Sequence, residues 1–359
     1  MRITDDIIYK VYDILGAEAL KTFQENYELV NIIEGSTIPN DLISPERRVC
    51  RFCQKRHPDT SFQKKAHIIP HQLGSEHLVS DFECDKCNEV FGLYESQLAN
   101  FLSVFRTMHK IKGKKKIPEF VSGGNTLHAK VGGFHNLRNI ISVSDKNGFE
   151  LDLDSGIIRK RYEQPPYKPL QVFKALAHIG FCMLNEDEVE DFRDYIHLGL
   201  MNGSKDQNCK NYPAFTLFVT RLPRVQSSTF ALLFKKNNDR LIADYELIIF
   251  CRNLMFQLSL PLHKNGNERH RDFVRHILPG GHFIGDDFES QTPVSAIDLS
   301  DIELKKEEGY FEFRLDPEYV SKISKLSEDE QKEHSSIRKI FISSMDAVLR
   351  VPPENDLNS

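Results

Sequence analysis

Cys50-Arg-Phe-Cys53, Ala66-His67-Ile68-Ile69-Pro70 and Cys84-Asp-Lys-Cys87-Asn88 form one block in the first hundred residues. Two residues between the cysteines of each pair let both sulfurs reach one ion, and two such pairs supply the four soft ligands of tetrahedral zinc. Thirty residues separate the pairs, more than a compact zinc ribbon needs. The block therefore predicts a structural zinc on Cys50, Cys53, Cys84 and Cys87, with the chemistry in the insert, where His67 sits, and at Asn88.

The rest of the chain bounds what surrounds this block. With 359 residues, 40% hydrophobic and 28% charged, it can bury a sizeable core and divides into two or three units. No apolar run of about eighteen residues appears, and Met1-Arg-Ile-Thr-Asp-Asp lacks the regions of a signal peptide. The expectation is a soluble, cytoplasmic protein with no membrane partner. Cys182, Cys209 and Cys251 are scattered, as reduced thiols are in such a compartment.

A net charge of −5 excludes a uniformly basic nucleic-acid coat. Locally the balance reverses. Arg47, Arg48, Arg51, Lys55 and Arg56 flank the first cysteine pair with no acid from 47 to 57, and Lys64-Lys65 precede Ala66. Lys110 to Lys116 then holds five lysines in seven positions, including Lys114, Lys115 and Lys116. Such a field on an acidic chain predicts a phosphate track, with a solvated linker as the alternative for 110–116.

Periodicity gives an α+β organisation. Apolar positions from Ile7 to Phe23 predict one or two helices over 3–33, and Gly35 to Pro45 reads as loop. Phe91, Leu98, Phe101, Leu102 and Phe105 mark the buried face of a helix running towards His109, with Asn88 near its start. A new unit is expected from about residue 121, with helices over 167–184 and 186–200 and strands at 214–220, 229–234 and 246–251. Those Phe-rich strands are expected in a core rather than as a base-stacking platform. The end from Ser327 is expected to be peripheral. The division drawn is a helical segment 1–44, a cysteine and histidine module 45–120, and a larger α+β part 121–359.

The order Cys-x-x-Cys, Ala-His-Ile-Ile-Pro, Leu-Val-Ser-Asp-Phe-Glu-Cys-Asp-Lys-Cys-Asn resembles the HNH endonucleases over residues 47–107, in particular the branch whose second cysteine pair is followed by Asn. The resemblance implies a zinc-stabilised ββα-metal module that hydrolyses DNA, with roles in bacterial defence or mobile-element biology. His67 matches the general base, Asn88 a ligand of a catalytic magnesium or other divalent cation, and the four cysteines the zinc ligands. Asp81 stands loosely at the middle position of the signature. The C-terminal part would sense a ligand or partner protein, or build a homo-oligomer.

One position departs from the pattern. Many members place a metal ligand directly before the catalytic histidine, where this chain has Ala66, so either His71 or another residue completes the site, or substrate phosphate and water fill more of the shell, or activity is weak or absent. A non-catalytic zinc module that binds nucleic acid or protein is the alternative reading. On their own, His57, His71, His77 and the scattered His263, His270, His276 and His282 near Asp286-Asp287 read as ordinary loop or surface positions.

Overall fold

The computed structural model describes residues 23, 25–39, 42–134, 137–152, 154–201, 213–222, 225–237, 242–261, 275, 278, 294–314, 320–322, 324–325, 327, 339–342 and 348–350. The fold is mixed α and β. The chain forms two compact units, each assembled from two stretches: residues 1–98 with 168–303, and 99–167 with 304–359.

The first unit is built on a six-stranded antiparallel sheet. Its strands are β1 (Tyr27–Glu34), β4 (Thr216–Arg221), β5 (Phe230–Lys236), β6 (Tyr245–Cys251), β7 (Leu254–Ser259) and β8 (Val294–Asp298), in the order β1-β5-β6-β7-β4-β8. Between β1 and the rest the chain inserts a short hairpin, β2 (Ala66–His67) against β3 (Val79–Ser80), followed by helix α1 (Asp85–Leu102). Helix α2 (Pro169–Met183) has Pro at its first turn and is buried along its length. A capping box between Asn185 and Glu188 starts the next short helix, Glu186–Asp191.

The strands expected at 214–220, 229–234 and 246–251 and the helices expected at 167–184 and 186–200 are present, the second as short segments ending in a π turn at Ile196–Leu200. β6 is buried at every position, and Phe230, Leu232, Phe234, Ile248 and Phe250 pack with Tyr27 and Ile32 in one core cluster. These phenylalanines are core, as their continuous apolar runs require.

Helical spacing over 3–33 does not extend to its end. Tyr27–Glu34 is a strand whose Val30, Ile32 and Ile33 suit a pleated surface, and pairing with Phe230–Lys236 decides the matter. Residues 1–22 lie outside the described residues, as do Cys209, His263, His270, His276, His282, Asp286 and Asp287.

The second unit holds two four-stranded antiparallel sheets. One contains Phe120–Val121, Leu127–Phe134, Leu137–Asp145 and Lys339–Ile342; the other contains Glu150–Asp152, Ile157–Glu163, Glu308–Arg314 and Val348–Arg350. Phe120, Leu127, Val143, Phe149, Ile158 and Tyr162 form its core together with Val104 and Met108. The stretch after Ser327 thus supplies two edge strands.

Candidate active site: a zinc knuckle beside a histidine hairpin

The four cysteines converge. Their sulfurs lie within 4.8 Å of one another, with Cys50 and Cys87 3.7 Å apart and Cys53 and Cys84 also 3.7 Å apart. Zinc–thiolate bonds of about 2.3 Å in a tetrahedron put sulfurs about 3.8 Å apart, so the cluster has the dimensions and donor chemistry of a structural zinc site. The first pair sits in a tight knuckle. Gln54 adopts a positive φ of 58°, its amide donates to the Cys50 carbonyl at 2.8 Å, and the Cys50 amide donates to the Lys55 carbonyl at 2.8 Å. Hydrogen bonding from Cys84 and burial push the Cys50 thiol up to about 12, while hydrogen bonds from Cys50 and Cys87 hold Cys84 far below the usual thiol range. Thiols bind zinc as thiolates, so a cation among the four sulfurs would favour their deprotonation.

His67 and His71 are brought together by the hairpin. His67 is half-buried on β2, opposite Val79, and the two imidazole centroids are 4.1 Å apart. After Pro70 the chain makes a single 3-10 turn, His71–Leu73, closed by Gly74 at φ 91°, a left-handed conformation that favours glycine. The central sheet anchors this turn. The Thr229 hydroxyl and the Cys251 thiol both donate to the Leu73 carbonyl, and Ser75 donates to the Gly35 carbonyl at 2.9 Å. Ala66 is fully buried and contributes packing at the position where a ligand is often found.

Asn88 lies in the first turn of α1, half-buried, with its amide donating to the Cys84 carbonyl at 2.9 Å. The residue that ties this turn to the hairpin is Asp85. Its carboxylate accepts from the Ser61 hydroxyl at 2.6 Å and from the Gln63 and Lys64 amides at 3.1 and 2.8 Å, while its own amide donates to the Ser61 carbonyl at 2.8 Å. Burial would raise this acid, but the Ser61 hydroxyl, the two amides and the Lys64 charge outweigh it and hold the carboxyl below its ordinary range. An acid in the first turn of a helix is the signal that could have marked it.

The other charged candidates separate by environment. Lys64 pairs with Glu89 at 2.5 Å, both ends exposed, so the contact is weak, and Lys65 is exposed. Lys114, Lys115 and Lys116 are exposed in the second unit, with Lys116 3.5 Å from Glu119. Asp81 accepts the Ile43 amide at 3.0 Å. Arg51 leaves the basic group altogether: its guanidinium covers the Phe82 ring at 4.0 Å and donates to the carbonyls of Phe181, Cys182 and Leu184 at 2.8 to 3.0 Å, capping α2.

Sequence reasoning also missed a buried trio on the same side of the knuckle. The His178 Nε2 stands 2.8 Å from a Glu83 carboxylate oxygen and 3.4 Å from the Cys182 sulfur, with the ring packed on Phe91 and Phe52. Nitrogen and oxygen bound to one tetrahedral ion would stand about 3.3 Å apart. The shorter distance is that of a direct hydrogen bond, so in this arrangement His178 and Glu83 form a buried hydrogen-bonded pair with Cys182 beside them. Burial alone would lower His178, but the Cys182 and Glu83 charges and hydrogen bonds outweigh it and hold the ring protonated well above its ordinary range. The stability it gives is full below the ordinary imidazole pKa of about 6.5 and is lost as pH rises through the elevated value. Glu83→Ala, which strands the imidazolium, is expected to destabilise the protein by roughly 3–5 kcal/mol. Urea unfolding measures this, and adding His178→Ala should recover part of the loss.

The short hairpin and the helix carry a four-cysteine cluster that fits zinc, and residues 50–98 match the family model described as HNH endonuclease. The chain therefore carries an HNH domain, a nuclease type, in this stretch. No curated protein and no solved structure matches the chain.

Among the described residues no helix is long and apolar enough to cross a membrane.

Proposed function

We propose that this protein is a divalent-metal-dependent endonuclease that hydrolyses DNA phosphodiester bonds, with His67 as general base and Asn88 and His71 as ligands of the catalytic cation. The observation that carries the proposal is the His67–His71 pair, 4.1 Å apart at a hairpin whose incoming strand is held by Asp85. A neutral His67 accepts the proton of the attacking water, a role worth about 10²–10⁴-fold when the base is well placed. An Asn88 amide oxygen and a His71 imidazole would make a mixed donor set, which suits a divalent cation that also takes phosphate oxygen and water. Such a cation, magnesium or another, supplies charge stabilisation for the phosphate oxygens. Exposed Lys64 and Lys65, together with Lys114, Lys115 and Lys116, supply phosphate contacts.

Incubation of supercoiled plasmid with protein and divalent metal, compared with the His67→Ala variant, tests the proposal. Imidazole ligation has a further consequence, because nitrogen donors favour nickel and cobalt over magnesium. Cleavage is expected at about tenfold lower nickel than magnesium concentration, and His71→Ala should abolish that preference; identical metal profiles would remove His71 from the ligand set. The buried Ala66 supports the alternative of a non-catalytic binding module, which predicts tight DNA binding with no cleavage under any metal.

The proposal includes control by the rest of the chain. Arg51 and Glu83 both end on α2, so a ligand or partner that displaced this helix would be felt at the cysteine knuckle.

A further inference from the structure

The loop before the zinc knuckle carries an exposed apolar residue that is held rigidly. Ile43 is 49% exposed, yet both of its backbone groups are fixed by side chains: its amide donates to Asp81 at 3.0 Å, and its carbonyl accepts from the Arg48 Nε at 2.6 Å. Val49, the residue after Arg48, is 46% exposed and bridges to Arg56 across the knuckle. Arg47, Lys55 and Arg56 are all exposed. Apolar side chains on a surface normally scatter singly, whereas here Ile43 and Val49 flank Arg47 and Arg48, and cations outnumber the nearby acids Glu46 and Asp81. A polyanion with apolar sugars between its phosphates matches both the net positive charge and the apolar side chains.

We propose that this knuckle face is a DNA-docking surface separate from the cutting residues, in which Arg47, Lys55 and Arg56 contact phosphates and Ile43 and Val49 pack against the sugars between them. Arg48 is the positioning residue, since its Nε is committed to the Ile43 carbonyl. The inference rests on the endonuclease reading and names where that enzyme grips its substrate. Phosphate contacts release counterions and give affinity a salt dependence of about 0.9 per contact, while apolar contacts contribute a part that salt does not change. Exposed substitutions here leave the buried core and the four cysteines intact.

The test measures affinity of the full chain for a fluorescent 30-base-pair DNA duplex across a salt series, in a His67→Ala background so that the probe survives. Replacing Arg47, Lys55 and Arg56 together by Gln is expected to reduce the salt slope by about 2 to 3. Ile43→Ser with Val49→Ser is expected to weaken binding about tenfold at every salt concentration with the slope unchanged. An unchanged slope in the charge variant overturns the docking surface, as does unchanged affinity in the apolar variant when zinc content and thermal stability match the parent. Failure of the parent to bind DNA or RNA at low salt would instead overturn the endonuclease reading. Retained nucleic-acid binding in both variants, joined by loss of a co-purifying protein, would reassign the surface to a protein partner.

Discussion

Cys87→Ser is expected to yield a chain without stoichiometric zinc and without a folded 50–98 module. The sulfur separations of 3.7 Å already have the spacing of a tetrahedral thiolate site, so the chain presents its ligands with little rearrangement. Binding to such sites is worth about 10–16 kcal/mol in small zinc domains, comparable to the whole stability of a typical domain. Losing one of four thiolates would expose Phe52 and Phe91, which are otherwise buried against His178. Elemental analysis and urea unfolding of wild type and variant check this. A soluble wild-type protein with less than half an equivalent of zinc would remove the metal from the knuckle.

His67→Ala carries the second large effect. The side chain is half-buried on a two-residue strand, and its removal leaves the four-cysteine cluster, the Asp85 brace and the Ala66–Ser80 pairing in place. Fold, zinc content and DNA affinity are expected to stay near wild type, while the cleavage rate falls by at least about 10²-fold. Rate measured at saturating metal and DNA separates lost chemistry from lost binding. Unchanged cleavage would dismiss His67 as the base and leave His71 as the first group to examine.

The parts of this site visible in the sequence are those whose partners are near in the chain. Two Cys-x-x-Cys pairs fix a ligand set by spacing alone, and His67 stood out because it lies between them. Asp85 was legible in principle, since first-turn acids have a known cause, but its partners Ser61, Gln63 and Lys64 form no periodic pattern. Glu83 and His178 are 95 residues apart, and Arg51 reaches a carbonyl 131 residues away. Nothing in composition announces such a pairing. Arg51 reads as one more cation in a basic stretch until α2 is seen to need a cap. Likewise Tyr27–Glu34 passes for the tail of a helix because its strand partner comes about two hundred residues later.

Arg51 has a consequence for the order in which the protein is made. Synthesis delivers the cysteine block well before Phe181, Cys182 and Leu184, whose carbonyls receive its guanidinium. During that interval zinc can close the knuckle, but Glu83 lacks His178 and the aromatic face of Phe52 and Phe91 lacks its cover. A nascent or truncated chain ending before residue 168 therefore holds every ligand of the metal and none of the helix that covers the knuckle. If the endonuclease reading proposed above holds, a ribosome-bound polypeptide would present the cysteine block before the helix that packs on it has been made.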